Sequence, residues 1–370
     1  MDNAHVRDEV RRIMGYWLQL GVTGFRMDAV PFLIERKGAG VEHTKDYELL
    51  HQMRDFLQWR RRDAILLAEA NVPPDESMKY FGDQGDRLQM MLNFPVNQRL
   101  FYAFATGDLQ PLTQALHDTW GRPHSAQWVH FLRSHDELDL GRLSEEERQK
   151  VFEAFGPEKR MQLYDRGIRR RLAPMLGGDV RRIKLAYSLQ FTLRGTPVLR
   201  YGEEIGMGEN LSLPGRQAIR TPMQWSFADN GGFSAAKELV RPVISGGEYG
   251  YEKVNVTAQR HDPNSLLAWF ERMIRTLRES PEVGEGTCKH IDKPLPAGVF
   301  AHRADGPRGS MVFLHNLAET PATVDLGELS AEAHYPNDVF ADGEYDPPGA
   351  FDSLELREYG FRWIRLYRNP

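Results

Sequence analysis

Gly24-Phe25-Arg26-Met27-Asp28-Ala29-Val30 is a short apolar run broken by one arginine and one carboxylate two positions apart. With Val22 before them, Phe25, Met27, Ala29 and Val30 read as a buried strand, which carries charge only where the charge is used or paired. Residues two apart in a strand share a face, so Arg26 and Asp28 can touch near the strand's carboxyl end. A guanidinium that keeps a carboxylate ionised and aimed is what a nucleophilic aspartate requires. An ion pair that only caps the strand fits these seven residues equally well.

Outward from this stretch the same alternation recurs. Val6, Val10, Ile13, Met14, Trp17 and Leu18 recur at helical spacing and stop at Gly21, so a helix feeds directly into the first strand. Leu49, Leu50, Met53, Phe56 and Leu57 form a second helical stripe, followed by the apolar strand Ala64 to Asn71, which again ends in a carboxylate, Glu69. Leu88 to Phe94 is a third strand, with helices over Gln98 to Ala105 and Leu112 to Thr119. Trp128 to Asp136 is a fourth, tipped by Asp136. A charged helix around Leu143 to Phe155 and an apolar one from Ile183 to Leu193 precede a fifth strand, Thr196 to Gly202. The basic run Arg166 to Arg171 reads as a solvated helix face.

Helices alternating with buried strands imply parallel pairing, as an open doubly wound sheet or a barrel. Charged carboxyl ends on several strands favour the barrel, whose chemistry sits at that face, and no glycine-rich phosphate loop follows any strand. Leu211 to Gly250 is rich in Pro, Gly and Asn and too long for a connector, which suggests a functional loop. A last helix carries Leu266, Leu267, Phe270, Ile274 and Leu277 and ends at Pro281. Beyond it Val299 to His302, Met311 to Leu314, Ala322 to Leu326 and Phe361 to Leu366 read as short antiparallel strands. Residues 1–284 are therefore assigned to a partial (β/α)8 catalytic barrel and 285–370 to a C-terminal β-sandwich domain.

At 370 residues the chain can bury a large core, and a net charge of −5 with pI near 6.2 leaves no electrostatic case for nucleic acid or an anionic membrane. The one cysteine, Cys288, excludes an internal disulfide framework and suits a reducing compartment. No apolar run approaches ~18 residues, and the N-terminus lacks a signal peptide's apolar centre, so a soluble cytoplasmic protein is expected.

Two carboxylates flanking a glycosidic bond suffice to cleave it with retention, one attacking the anomeric carbon and the other protonating the leaving oxygen. Their pKa values must differ, and Arg26 beside Asp28 against Leu67, Ala68 and Ala70 around Glu69 supplies that asymmetry. Asp28 is expected ionised and Glu69 protonated, with Asp136, preceded by His135, binding ring hydroxyls and stabilising developing positive charge. Phe32, Phe94, Trp128 and Trp225 are aromatic residues of the kind that stack on sugars or fill cores.

GFRMDAV, LLAEAN and FLRSHDEL, in that order at strand ends, resemble the second, third and fourth signature regions of the family 13 glycoside hydrolases, the α-amylase superfamily. GTPVLRYGEEIGMG, RTPMQWS, DNGGFS and the closing YGFRWIRL resemble its trehalose synthase and α-glucosidase-like branch, so the likeness spans essentially the whole chain. The resemblance implies Asp28 as nucleophile, Glu69 as general acid/base and Asp136 as transition-state stabiliser, with Arg26 and His135 on the innermost glucosyl unit. In related α-glucosidases two arginines spaced by four before TPMQW reach the same sugar, and Arg216 and Arg220 match them; anchoring of the loop is the alternative for this pair.

The family's first region, Asp-x-x-x-x-Asn-His, is not found, and Ser134 stands where asparagine is usual. By this likeness the helix from Val6 precedes the fourth barrel strand, so an N-terminally truncated barrel with strands 4 to 8 is expected. The implied substrate is a small α-glucoside such as maltose, trehalose or a short malto-oligosaccharide. The leading reading is a glucosyltransferase that interconverts maltose and trehalose. Hydrolysis of α-glucosidic bonds and an inactive paralogue or fragment are its alternatives. No cofactor or metal is needed for the chemistry, while a structural calcium in a full-length enzyme and homo-oligomerisation are left open.

Overall fold

Asn3 starts the first helix, Ala4–Gln19, by accepting a hydrogen bond from the His5 amide at 2.9 Å, and Gly21 beyond its end takes a left-handed conformation (φ 99°) that releases the chain into a strand. The computed structural model describes residues 1–36, 44–291, 293–307, 309–331, 334–349 and 351–367. They form two compact units, residues 1–97 with 114–130, and residues 98–113 with 131–370.

In the first unit four strands, β1 (Gly24–Met27), β2 (Ile65–Ala68), β3 (Met90–Leu92) and β4 (Gln127–Phe131), pair in parallel in that order. The strands line up in an open row. Gly24 opens β1 because a Cβ there would lie 2.7 Å from the Ile65 carbonyl oxygen. The strands are shorter than the apolar runs that announce them. Ala29, expected in the first strand, takes a left-handed conformation (φ 46°), and Val30–Leu33 coils into a helical turn. Its amide bonds reach across instead, with Val30 donating to the Glu69 carbonyl at 3.1 Å, so the end of β1 is bent over the end of β2.

Met14, Leu18, Met27, Leu50, Met53, Leu57, Leu66, Ala68, Phe81 and Trp128 pack this unit's core. Trp128 meets Phe81 edge-on at 5.0 Å and donates its indole N–H to the Thr119 carbonyl at 2.7 Å, so it is a core residue rather than a sugar platform. Of the predicted first-helix stripe only Met14 and Leu18 are buried, while Val6, Ile13 and Trp17 are each nearly half exposed. Val10, Ile13, Met14, Trp17, Val22 and Phe25 line an apolar groove, so β1 is covered on this side by few atoms among the described residues.

In the second unit the helix Val180–Thr192 is capped by Asp179, which accepts from the Arg181 amide at 2.9 Å, and is followed by a short strand, Thr196–Val198. A five-stranded antiparallel sheet takes the order His334–Ala341, Phe361–Tyr367, Gly309–Asn316, Val299–Gly306, Thr287–His290. A two-stranded ribbon, Ala322–Val324 with Leu354–Leu356, lies beside it. Val312, Leu314, Ile364 and Leu366 share a core with Val324, Leu354 and Leu356. The opposite face meets the helix through hydrogen bonds. His315 Nε2 lies 2.9 Å from the Ser188 hydroxyl, which also accepts from the Trp363 indole N–H at 2.8 Å. Four of these seven strands are announced by the sequence pattern; Thr287–His290, His334–Ala341 and Leu354–Leu356 are not.

Arg166 to Arg171 is not a solvated helix face. Gly167–Ile168 is a strand, and the following arginines turn inward. Arg169 donates to the carbonyls of Leu211 at 2.6 Å, Leu213 at 2.9 Å and Gly215 at 3.1 Å, and Arg170 to Glu209 at 2.8 Å. Arg171, 0% exposed, donates to Glu203 at 3.2 Å and to the Tyr201 carbonyl at 3.0 Å. A loop of some forty residues without strands exposes many backbone carbonyls, and guanidiniums with five donors each satisfy them. Cys288 is buried, and no described helix is long and apolar enough to cross a membrane.

Glu203 also accepts from the Tyr187 hydroxyl at 3.1 Å and the Leu172 amide at 3.3 Å. Replacing Arg171 with Met leaves that buried carboxylate without its cation and is expected to cost about 3–5 kcal/mol, read as a fall in the urea midpoint of unfolding. The double variant Arg171→Met with Glu203→Leu should recover much of the loss, since it removes both charges together.

Candidate active site

In the first unit, parallel pairing of β1 with β2 in the register Met27 to Ala68 brings the next residues of both strands, Asp28 and Glu69, to one sheet end. Arg26 bridges them, with Nη1 2.9 Å from Asp28 and Nη2 2.8 Å from Glu69. The sequence pairs this arginine with Asp28 alone; its second partner follows from strand register. Glu69 Oε2 also accepts from the Ala29 amide at 3.3 Å, a contact that the left-handed turn at Ala29 permits.

The two acids differ in setting. The Asp28 side chain is 73% exposed and that of Glu69 21%. Burial pushes the Glu69 carboxyl above its ordinary range and a hydrogen bond with Asp28 adds to this, while the Arg26 charge pulls the other way. Two carboxyls joined by a hydrogen bond hold one proton between them, and the buried one is the better host.

In the second unit, Ser134 to Glu137 follow β4 as a bend whose backbone is gripped by arginines. Arg133 donates to the Asp136 carbonyl at 3.1 Å and the Arg170 carbonyl at 2.7 Å, and Arg200 to the Ser134 carbonyl at 2.9 Å and to the Ile219 carbonyl. Burial lowers both guanidiniums to about 10, still charged at neutral pH. Ser134, in the place of the more usual asparagine, accepts from the Asp136 amide at 3.2 Å and so closes a small turn.

Asp136 stands among an imidazole and two guanidiniums. His135 Nε2 lies 3.6 Å from it, Arg216 Nη1 3.3 Å, and Arg220 donates to it directly. Arg220 is steadied by the His135 carbonyl at 2.7 Å. Arg216 is held chiefly by Glu137 through a fork of 2.6 and 3.2 Å, which raises its own affinity for the proton. His135, Asp136, Arg216 and Arg220 are thus brought together, and both arginines serve as loop anchors as well as neighbours of the acid. Glu137, Arg133 and Arg200 escaped the sequence reading. Glu137 carries a signal, a second acid directly after Asp136; the two buried arginines carry none until the loop carbonyls they satisfy are located.

The Alpha amylase catalytic-domain family model matches residues 1–156 and 160–286. A trehalose synthase of Thermus thermophilus is 38% identical over 371 residues, which cover 99% of this chain and 38% of that protein. A trehalose synthase of Pimelobacter sp. (strain R48) is 37% identical over 380 residues, 99% of this chain and 66% of that protein. This chain therefore spans less than two thirds of the length of either. Among solved structures, the α-amylase of H. orenii superposes with a TM-score of 0.74 at 20% identity, over 99% of this chain and 65% of that one, a likeness of barrel fold. Given the extent of the family match and these relatives, the chain belongs to the α-amylase superfamily, glycoside hydrolase family 13.

Proposed function

We propose that this protein acts on a small α-glucoside by retaining chemistry and passes the glucosyl unit to a second sugar hydroxyl, interconverting maltose and trehalose. The observation that carries the reading is the Arg26 bridge between an exposed Asp28 and a half-buried Glu69 whose proton affinity is raised. The likeness to trehalose synthases supports the choice of substrate.

In the proposed cycle Asp28 attacks the anomeric carbon, and the leaving oxygen takes the proton of Glu69. Glu69 then removes the proton of the incoming hydroxyl as its oxygen displaces Asp28, which restores both groups. Arg26 keeps Asp28 ionised and aimed. Asp136 stabilises positive charge on the sugar, His135 contacts the glucosyl unit, and Arg216 and Arg220 orient Asp136 and the same sugar. Nucleophile, proton and acceptor all come from side chains and sugar, so no step calls for a cofactor. Hydrolysis differs only in the acceptor, a water in place of the second sugar.

Product analysis on maltose separates the two, with trehalose expected; glucose alone would mean that water is the acceptor. Asp28→Asn should lower turnover by several orders of magnitude with little change in maltose affinity, measured by steady-state kinetics and calorimetry. Because Glu69 must be protonated for the leaving group to depart, kcat/KM should fall as pH rises through its elevated pKa. Arg26 is the group that opposes that elevation, so Arg26→Met should move this alkaline limb to higher pH while reducing the rate. A limb that stays in place, or shifts downward, would remove Glu69 from the role of proton donor.

A further inference from the structure

Within the second unit, the face of the antiparallel sheet that meets the helix Val180–Thr192 carries two buried histidines. His302 lies on the strand Val299–Gly306 and His315 on Gly309–Asn316, 4% and 0% exposed. Strand register sets His302 opposite Phe313 and His315 opposite Phe300. The two imidazoles are parallel to within 9°, with centres 6.0 Å apart; His302 stacks on Phe313 at 4.9 Å and His315 on Phe361 at 6.3 Å. Both reach the helix. His302 Nε2 lies 3.0 Å from the Thr192 carbonyl oxygen, and His315 Nε2 lies 2.9 Å from the Ser188 hydroxyl, to which the Trp363 indole also donates.

A carbonyl only accepts, so the proton of neutral His302 sits on Nε2 and its Nδ1 carries a bare lone pair. That Nδ1 is buried without a partner among the described residues, as is Nδ1 of His315. A second proton on either ring puts a full charge among aromatic side chains with no acceptor for the new N–H. Among the described residues no carboxylate acts on either ring. The strand Thr287–His290 brings only His290 to bear on His302, and His302 in turn bears on His315, each a like charge once protonated. Lys184, on the same helix as Ser188, answers to Arg272 and Asp342, while on the strand Phe361–Tyr367 Arg362 pairs with Asp338 and Arg365 with Glu282. Burial therefore holds His302 down at about 3 and His315 well below the ordinary range, so both are neutral while the sheet is docked.

We propose that His302 and His315 form an acid-sensitive latch, which fastens the sheet to the helix at Thr192 and Ser188 when neutral and releases it when each ring takes up a proton. The latch is independent of the chemistry proposed for the strand-end acids. A released imidazole regains its ordinary value of 6.5, so the open form binds more protons than the docked one from pH 6.5 down to about 3. Docking is unaffected above that window. Within it, docking weakens as pH falls, approaching about tenfold per pH unit for each histidine.

Hydrogen–deuterium exchange of the 370-residue chain, read by mass spectrometry at about pH 7.5 and about pH 5 and corrected for intrinsic amide exchange, measures the release. The opening constant of the strands Val299–Gly306, Gly309–Asn316 and Phe361–Tyr367 should rise about 1,000-fold between the two, about 30-fold from each histidine. Strand β2 and the helix Glu48–Arg60 of the first unit should not follow. His302→Phe keeps an aromatic ring that takes no proton and should lose about 30-fold of the acid response. His302→Gln, which retains a donor for the Thr192 carbonyl, should lose the same amount and serves if the first variant does not fold. Adding His315→Gln should remove the rest. An acid response unchanged in the variants, or below about tenfold in the unchanged chain, overturns the latch. So does an equal loss of protection in both units, which is general acid unfolding.

Discussion

A guanidinium beside each of the strand-end acids Asp28, Glu69 and Asp136 is the constraint on which the rest of this structure depends. Two carboxyls at adjacent strand ends repel if both are charged, and a parallel sheet that points them the same way would be strained at that end. Arg26 reaches both, at 2.9 and 2.8 Å, which removes most of the repulsion and allows a hydrogen bond between them. Burial then raises the proton affinity of Glu69. One arginine and unequal exposure therefore give two chemically similar side chains different settings, the asymmetry that the proposed nucleophile and acid require.

The bend from Ser134 to Glu137 is governed by a different use of arginine. Arg133 and Arg200 donate to backbone carbonyls around Asp136 rather than to its carboxylate, so they fix where the acid stands without neutralising it. Arg216 and Arg220 act on the carboxylate itself. Burying several guanidiniums carries a desolvation cost, visible in the lowered proton affinity of Arg133 and Arg200. That cost is offset by loop carbonyls that would otherwise have no donor. A single register of the long loop is the gain, because each planar fork accepts few arrangements of oxygens.

Strand order and face were legible in the residues because they depend on local spacing. Apolar runs of the right length, carboxylates at their ends and turn signals in the last third of the chain report parallel strands, strand-end acids and antiparallel pairing without reference to distant contacts. The signature stretches around Asp28, Glu69 and Asp136 are equally local. The α-amylase family was therefore within reach of the sequence alone.

Only the tertiary structure decided partners that lie far apart in the chain. Arg26 meets Glu69 through strand register, Arg216 meets Glu137 across 79 positions, and Arg169 and Arg171 turn inward because loop carbonyls and Glu203 wait there. A run of arginines looks the same in sequence whether it faces water or buried acceptors. The left-handed turn at Tyr164 likewise arises from chain reversal, which no window of neighbouring residues encodes, whereas the raised proton affinity of Glu69 was foreshadowed by its apolar neighbours Leu67, Ala68 and Ala70.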